Sequence, residues 1–210
     1  MTRMTSTPKP APSRPSAPPE RTRCLPPVNI MKWVKEHRAE LRPPVGNKYL
    51  YDGEGFFVMV IAGPNARNDF HMTNSEEYFY QVKGDIVVRI QEDGKIRNIP
   101  VREGETFFIP GGVPHSPTRP PDTIGVVVEL RRPAGETEHQ QFYCEQCDRL
   151  VYDKEFDCAD IVMHFAESME EFWSTPELNK CPNCGHQNGK PKPVKQIIFE
   201  PEVRIIREGQ

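Results

Sequence analysis

Three side chains stand out for the chemistry their types allow. His71 and Glu77 lie in the run from Arg67 to Gly84, and His115 ends the run that starts at Gly104. Two imidazoles and one carboxylate are the donor set of a mononuclear non-haem Fe(II) centre, which leaves coordination positions open for substrate and dioxygen. A closed tetrahedral zinc site would need a fourth protein ligand. The first expectation is therefore an oxygen-using iron enzyme with Fe(2+) at this site. A second donor set is made of cysteines. Cys144-Glu145-Gln146-Cys147 and Cys181-Pro182-Asn183-Cys184 are two Cys-x-x-Cys pairs, a spacing that favours metal over disulfides where no secretory leader is evident. Four thiolates would hold Fe or Zn in a tetrahedron, and such a shell has no vacant corner, so its expected role is structural. Cys24 and Cys158 have no evident partner and are expected as free thiols. His37, His139, His164 and His186 are expected as ordinary polar positions.

These donors need a scaffold. A chain of 210 residues suggests one main domain with a small appendage. Eight of the 23 prolines precede residue 28, and residues 1–27 hold almost no large apolar side chains. That stretch cannot bury enough surface to offset ordering, so it is expected as a disordered tail. Asn29 can cap a helix from Ile30 to about Leu41, with Ile30, Trp33, Val34 and Leu41 on one stripe, stopped by Pro43-Pro44. Short β-rich runs then follow within residues 28–135: 56–61, 77–82, 85–90, 106–109 and 124–130. Asp93-Gly94 is a hairpin signal. Period-2 alternation puts Glu77, Phe79 and Gln81 on one face. Short strands with Gly/Pro turns predict a mainly β fold, a single jelly-roll barrel with a few helices, its mouth carrying the three donors. Past Arg132-Pro133 the composition shifts. Residues 136–188 are expected to form a small metal-binding region, with a helix capped by Asp160 that carries Ile161, Phe165, Met169, Phe172 and Trp173 on one side. Residues 189–210 form an extension whose runs 196–199 and 203–206 could be edge strands.

A net charge of -3 gives no electrostatic case for nucleic acid or membrane partners. No apolar run approaches the roughly 20 residues of a membrane span. Unpaired thiols point to a reducing cytoplasm.

The run Gly104…Pro110…Gly112…His115 and the run His71…Glu77…Gly84 resemble the two cupin motifs. A closer resemblance is to the 3-hydroxyanthranilate 3,4-dioxygenase family, in the form with a second, rubredoxin-like metal site. It rests on Pro43-Pro44-Val45-Gly46-Asn47, Gly63-Pro64-Asn65-Ala66-Arg67, Glu76-Glu77-Tyr78-Phe79-Tyr80, His115-Ser116-Pro117-Thr118-Arg119, Arg132-Pro133-Ala134-Gly135 and the four cysteines, and it covers roughly residues 28–185. Many cupins carry His-x-His where this chain has His71 and Thr73, and Asn where it has Arg119; both departures agree with this family.

The resemblance implies extradiol opening of 3-hydroxyanthranilate to 2-amino-3-carboxymuconate semialdehyde, the precursor of quinolinate on the route from tryptophan to NAD. Its partners would be this small aromatic substrate and O2. It implies iron on His71, Glu77 and His115, with Arg119 as the clamp on the substrate carboxylate and Arg67 as a second cation. Glu129 sits in an apolar run and needs a partner; the resemblance supplies Arg119 and the substrate amino group, and Glu129 could also move protons. Asn47 matches a loop position near the site. A homodimer is implied as well. Two other readings compete. A thiol dioxygenase would generally use three histidines, against which Glu77 counts. A non-catalytic regulatory cupin, with its cysteine knuckles touching nucleic acid or protein, would want a basic surface there, whereas Glu145, Asp148, Asp153, Glu155 and Asp157 are acidic.

Overall fold

The structure is a computed structural model that describes residues 24–157 and 161–210. The expectations for the tail before Cys24, for Cys158 and for Asp160 as a helix cap lie outside the described residues. Asn29 does cap the first helix, α1 (Ile30–Glu36): its side-chain oxygen accepts from the Lys32 N–H at 2.9 Å. The helix stops short of the expected Leu41. Turns carry the chain on from His37, and Leu41 still reaches the same apolar cluster as Val34, against Val60, Ala62 and Ile124.

Eleven strands follow: β1 (Asn47–Asp52), β2 (Phe56–Ala62), β3 (Asp69–Met72), β4 (Glu77–Lys83), β5 (Ile86–Glu92), β6 (Lys95–Val101), β7 (Thr106–Ile109), β8 (His115–Thr118), β9 (Ile124–Leu130), β10 (Glu138–Tyr143) and β11 (Leu150–Phe156). One antiparallel sheet has the order β1-β2-β9-β4-β7, the other β11-β10-β3-β8-β5-β6. Phe57, Met59, Phe79 and Val127 of the first face Ile86, Val88, Ile90 and Phe142 of the second across one core. This is the expected jelly roll. Alternation sets the faces: Glu77, Phe79 and Gln81 of β4 point inward while Tyr78 and Tyr80 stay exposed. Asp93 and Gly94, with φ of 52° and 77°, turn β5 into β6. Two successive positive φ values match the twist of the flanking strands.

The barrel continues past residue 135, where the composition shift suggested an end. β10 pairs with β3, setting Gln140 opposite His71, and β11 pairs with β10. β10 gives no apolar signal because its buried side chains include Glu138, Gln140 and Gln141; it is polar where it borders the site. Next comes α2 (Ile161–Ser174), whose Ile161, Phe165, Met169 and Phe172 join the barrel core. Phe172 stacks on Phe142 with ring centroids 3.8 Å apart, and burying a ring of this size contributes roughly 1.5–3 kcal/mol. A short helix, α3 (Pro176–Asn179), leads to the second cysteine pair. The two strands expected in the extension exist as β12 (Val194–Ile198) and β13 (Arg204–Arg207). They pair with each other as a separate ribbon and pack Val194 and Ile197 on Val87. The ribbon also braces the loop ahead of β3: Val194 N–H donates to the Asn65 carbonyl at 2.9 Å, and Arg207 Nη2 to the Arg67 carbonyl at 3.2 Å. Among the described residues no helix is long and apolar enough to cross a membrane.

Candidate active site and thiolate centre

β3 and β8 lie side by side, with His71 directly opposite His115. Glu77 opens β4 in the facing sheet, so its carboxylate reaches across the barrel mouth to both rings. Glu77 Oε1 lies 3.0 Å from His71 Nδ1, and Oε2 lies 3.1 Å from His115 Nε2. All three residues are buried, and their donor atoms fall within 4.8 Å of one another. The sequence-expected triad is therefore brought together. His115 Nδ1 sits 3.0 Å from the Val113 carbonyl, which leaves Nε2 facing the shared centre. Despite its closeness to His71, Glu77 Oε1 has no aligned hydrogen-bond donor, so a buried anionic oxygen points at the place where a cation would sit. Electrostatics agree. Burial disfavours the imidazolium of His71, but Glu77 and Glu138 on either side more than offset this and raise its pKa to about 10. Burial opposes the charge on Glu77, yet His115 and His71 hold its carboxyl well below the usual range. This pocket draws positive charge, and a divalent cation with two nitrogen ligands and one oxygen ligand fits it.

Behind the triad lies a buried ion-pair chain. Glu138 Oε2 is 2.6 Å from His71 Nε2, and its Oε1 is 2.5 Å from Arg132 Nε. Arg132 Nη2 donates to Glu129 Oε2 at 2.7 Å. Glu129 thus takes Arg132 as its partner, where Arg119 was expected. Arg132 lies two residues past the end of β9 and lays its guanidinium back on the residue three before it, a proximity that strand alternation does not encode. Burial and the nearby Glu77 charge push the Glu129 carboxyl up to about 7, against His71 and Arg132. Sequence reasoning missed Glu138 altogether. The only trace it leaves is an acid in a run that turns out to be buried.

Arg119 follows β8 and is 1% exposed. Its Nη1 donates to Gln81 Oε1 at 3.0 Å, while Nε is buried with no partner. Among the described residues no carboxylate pairs with it. Burial, and then the charge of Arg67, pull its pKa down to about 9. Its backbone is pinned where the Arg119 N–H donates to Asn65 Oδ1 at 3.0 Å. Gly125 makes room in valine-rich β9: a Cβ there would lie 2.8 Å from both terminal nitrogens of Arg119. Arg67, expected as a second cation, lines the same cleft. It forms a two-pronged pair with Asp69, Nε to Oδ1 at 2.8 Å and Nη2 to Oδ2 at 2.6 Å, so its charge is already answered. Asn47 lines the same cleft, with Nδ2 3.7 Å from Met59 Sδ and a buried Oδ1 that has no partner.

The cleft joining these groups is narrow, with a cavity volume of about 40 Å³. His71, Glu77, His115, Arg67, Arg119 and Glu129 share it with apolar walls from Val45, Met59, Ile61, Phe79, Val127, Ile161 and Phe165. A planar ring carrying one carboxylate suits a space with an unanswered guanidinium, a cation-drawing triad and hydrocarbon walls between.

The four cysteines also converge. Cys144 and Cys184 sulfurs lie 3.5 Å apart, and those of Cys147 and Cys181 lie 3.7 Å apart. These gaps exceed a disulfide bond of about 2.05 Å. They match the edges, about 3.8 Å, of a tetrahedron with metal–sulfur bonds of about 2.3 Å. Both pairs sit on the same loop geometry. Cys144 N–H donates to the Arg149 carbonyl and Cys181 N–H to the His186 carbonyl, each at 2.8 Å. Asp148 and Gly185, each just after the second cysteine of its pair, have φ of 55° and 74°. The Cys184 N–H pulls the Cys181 thiol down, burial opposes it, the Asn183 N–H assists, and the pKa falls to about 6. His186 lies outside the four-sulfur group.

Residues 23–173 match the family model described as 3-hydroxyanthranilic acid dioxygenase. A 3-hydroxyanthranilate 3,4-dioxygenase of Xanthomonas euvesicatoria pv. vesicatoria is 40% identical over 168 residues, covering 80% of this chain and 95% of its own. One from Neurospora crassa is 39% identical over 179 residues, covering 85% and 98%. One from Lodderomyces elongisporus is 43% identical over 162 residues, covering 77% and 92%.

Proposed function

The chain belongs to the 3-hydroxyanthranilic acid dioxygenase family, and on that footing we propose that it opens the ring of 3-hydroxyanthranilate with dioxygen, using Fe(II) held by His71, Glu77 and His115. The observation that carries this reading is the pairing, in one cleft, of a buried guanidinium that lacks a carboxylate with three converging metal donors. Iron(II), when bound, supplies the electronic route by which triplet dioxygen reacts with an electron-rich ring.

The chain's own residues do the rest. Arg119 grips the substrate carboxylate with parallel hydrogen bonds, which fixes the plane and direction of the ring as well as its affinity. Gln81 holds the guanidinium for that contact. Bringing a carboxylate to Arg119 removes the cost of an unpaired buried charge, so the protein favours the bound state for a reason present before binding. Glu129 lines the same cleft with its pKa near 7, close to the working pH where a carboxylate best accepts and returns a proton. Arg67 stays paired with Asp69 and presents an oriented, neutralised edge to the ligand. Phe79, Val127 and Phe165 keep water away from the reacting atoms. The product would be 2-amino-3-carboxymuconate semialdehyde.

In this reading the four-sulfur site holds Fe or Zn in a structural role, and the protein works in a reducing cytoplasm, where thiols stay unoxidised. The homodimer would form on the outer face of the β1-β2-β9-β4-β7 sheet, where Phe56, Tyr78, Phe108 and Leu130 are exposed. The test of the activity is anaerobic loading with Fe(II), followed by 3-hydroxyanthranilate in an oxygen electrode. Oxygen uptake with one O2 consumed per substrate is expected; no uptake by fully loaded protein would overturn the assignment.

A further inference from the structure

A second cleft, about 450 Å³ and more open, lies between β5, the first cysteine knuckle and the C-terminal ribbon. It is lined by Arg89, Lys190, Lys192 and Arg207 against Glu145 and Glu208. Cations therefore exceed anions by two. The two guanidiniums dominate. Arg89 leans over the Phe70 ring, its guanidinium carbon 5.2 Å from the centroid, and makes no hydrogen bond or ion pair with any described residue. Arg207 spends Nη1 on the Lys192 carbonyl at 2.8 Å and Nη2 on the Arg67 carbonyl at 3.2 Å, and it too lacks an ion pair. Burial lowers the pKa of both, and Arg89 lowers that of Arg207 further, while the charges of Glu145 and Asp148 on Arg89, and of Glu145 on Arg207, oppose it. Two like charges have been brought into one partly desolvated space, and neither is answered by a carboxylate at contact distance. A bound oxyanion would relieve both.

We propose that this cleft binds a phosphate group between Arg89 and Arg207. Glu145 favours phosphate over other oxyanions. Its Oε1 accepts from Asn68 Nδ2 at 3.2 Å, which leaves Oε2 for the ligand. Inorganic phosphate near neutral pH, and a phosphate monoester below its second pKa of about 6, keep a hydroxyl hydrogen that a carboxylate can accept; sulfate keeps none and would meet Glu145 as a repelling charge. Lys190 is already paired with Glu170 at 2.6 Å, so it lends field rather than a contact. The cleft is larger than a phosphate ion, and its open side leaves room for the rest of a phosphorylated small molecule. The site is separate from the metal-donor cleft and from the reaction proposed there, since the two share no lining residue.

The test is calorimetric titration of the full chain, carrying both metals, with inorganic phosphate, ribose 5-phosphate and sulfate at low ionic strength and at about pH 5.5, where phosphate and its monoester both keep a hydroxyl hydrogen. One site should bind phosphate, with sulfate at least about tenfold weaker. R89Q should weaken phosphate by about tenfold or more, the scale of a lost charge-assisted contact, and R207K should weaken it in the same direction while keeping the charge that supports the ribbon. E145Q should bring sulfate up toward phosphate. R119Q, in the other cleft, should leave phosphate binding as it is. Tighter binding of ribose 5-phosphate would identify a phosphorylated metabolite as the occupant, and equal binding would identify free phosphate. No phosphate binding by the wild type, wild-type affinity in both R89Q and R207K, loss of binding in R119Q, or sulfate equal to phosphate would each overturn the proposal.

Discussion

Glu138→Gln isolates the buried chain behind the metal donors. The substitution keeps the shape of the side chain and removes one negative charge from a point 2.6 Å from His71 Nε2 and 2.5 Å from Arg132 Nε. Three effects follow. The carboxylate no longer draws electron density toward the ligating nitrogen of His71. The carboxamide also offers an NH2 where an acceptor is needed, so the ring loses its fixed orientation in half of the amide rotamers. Arg132 keeps Glu129 at 2.7 Å, so no cation is stranded, and the global cost should stay below the ~3–5 kcal/mol of a fully broken buried pair. Removing a carboxylate that supports a ligating histidine typically lowers metal affinity by about 10–100-fold, or roughly 1.4–2.7 kcal/mol. Competition with a chelator, followed by metal analysis, reads this directly. The barrel metal should leave at a chelator concentration about 10–100-fold lower than in the wild type, while the four-sulfur metal leaves at the wild-type concentration and serves as the internal control for folding. Wild-type retention of the barrel metal in a folded variant would refute the role given to Glu138. Joint loss of both metals would show that the change acts on the fold instead.

Arg119→Gln should raise KM for 3-hydroxyanthranilate by about tenfold to a hundredfold, the scale of lost hydrogen bonds to a charged group; steady-state kinetics with confirmed barrel metal content checks it. For Glu129 the sign runs from a folded pKa raised to about 7 above the ordinary 4.5. The folded state holds that proton more tightly, so its contribution is full below about 4.5 and is lost as pH rises through about 7. In metal-free protein the wild-type Tm should therefore fall more steeply between pH 5 and pH 8 than that of Glu129→Gln, and parallel curves from thermal melts would contradict the raised pKa. Cys181→Ser should empty the four-sulfur site and lower Tm while leaving the barrel metal in place, which metal analysis of the folded variant reports.

The parts of the molecule that obey a simple period were readable from sequence. β4 alternates Glu77, Tyr78, Phe79, Tyr80 and Gln81, and burial follows that alternation residue by residue. The stripe Ile161, Phe165, Met169 and Phe172 lands in the core because a helix repeats every 3.6 residues. Donor sets were readable too, since ligand chemistry restricts residue types. What failed were pairings made just past the end of a strand and strands whose inner face is polar. Arg132 reaches Glu129 from two residues past the end of β9, and no local pattern distinguishes it from Arg119 as a partner. β10 buries Glu138 and Gln140, so a search for apolar alternation passes over the strand that supplies the second anchor of His71. Gly125 carries a signal, a glycine between Ile124 and Val126-Val127-Val128, but its meaning needs the Arg119 side chain beside it.

The ribbon of β12 and β13 has a temporal consequence. A ribosome delivers the metal donors, Arg119 and the four cysteines well before Val194 and Arg207 emerge, yet those late residues fasten the carbonyls of Asn65 and Arg67. A nascent or clipped chain ending near residue 190 would therefore own every reactive group and still hold the Asn65–Arg67 loop from one side only. The loop is braced from both sides only once residues 194–207 have been made and their ribbon has folded onto it.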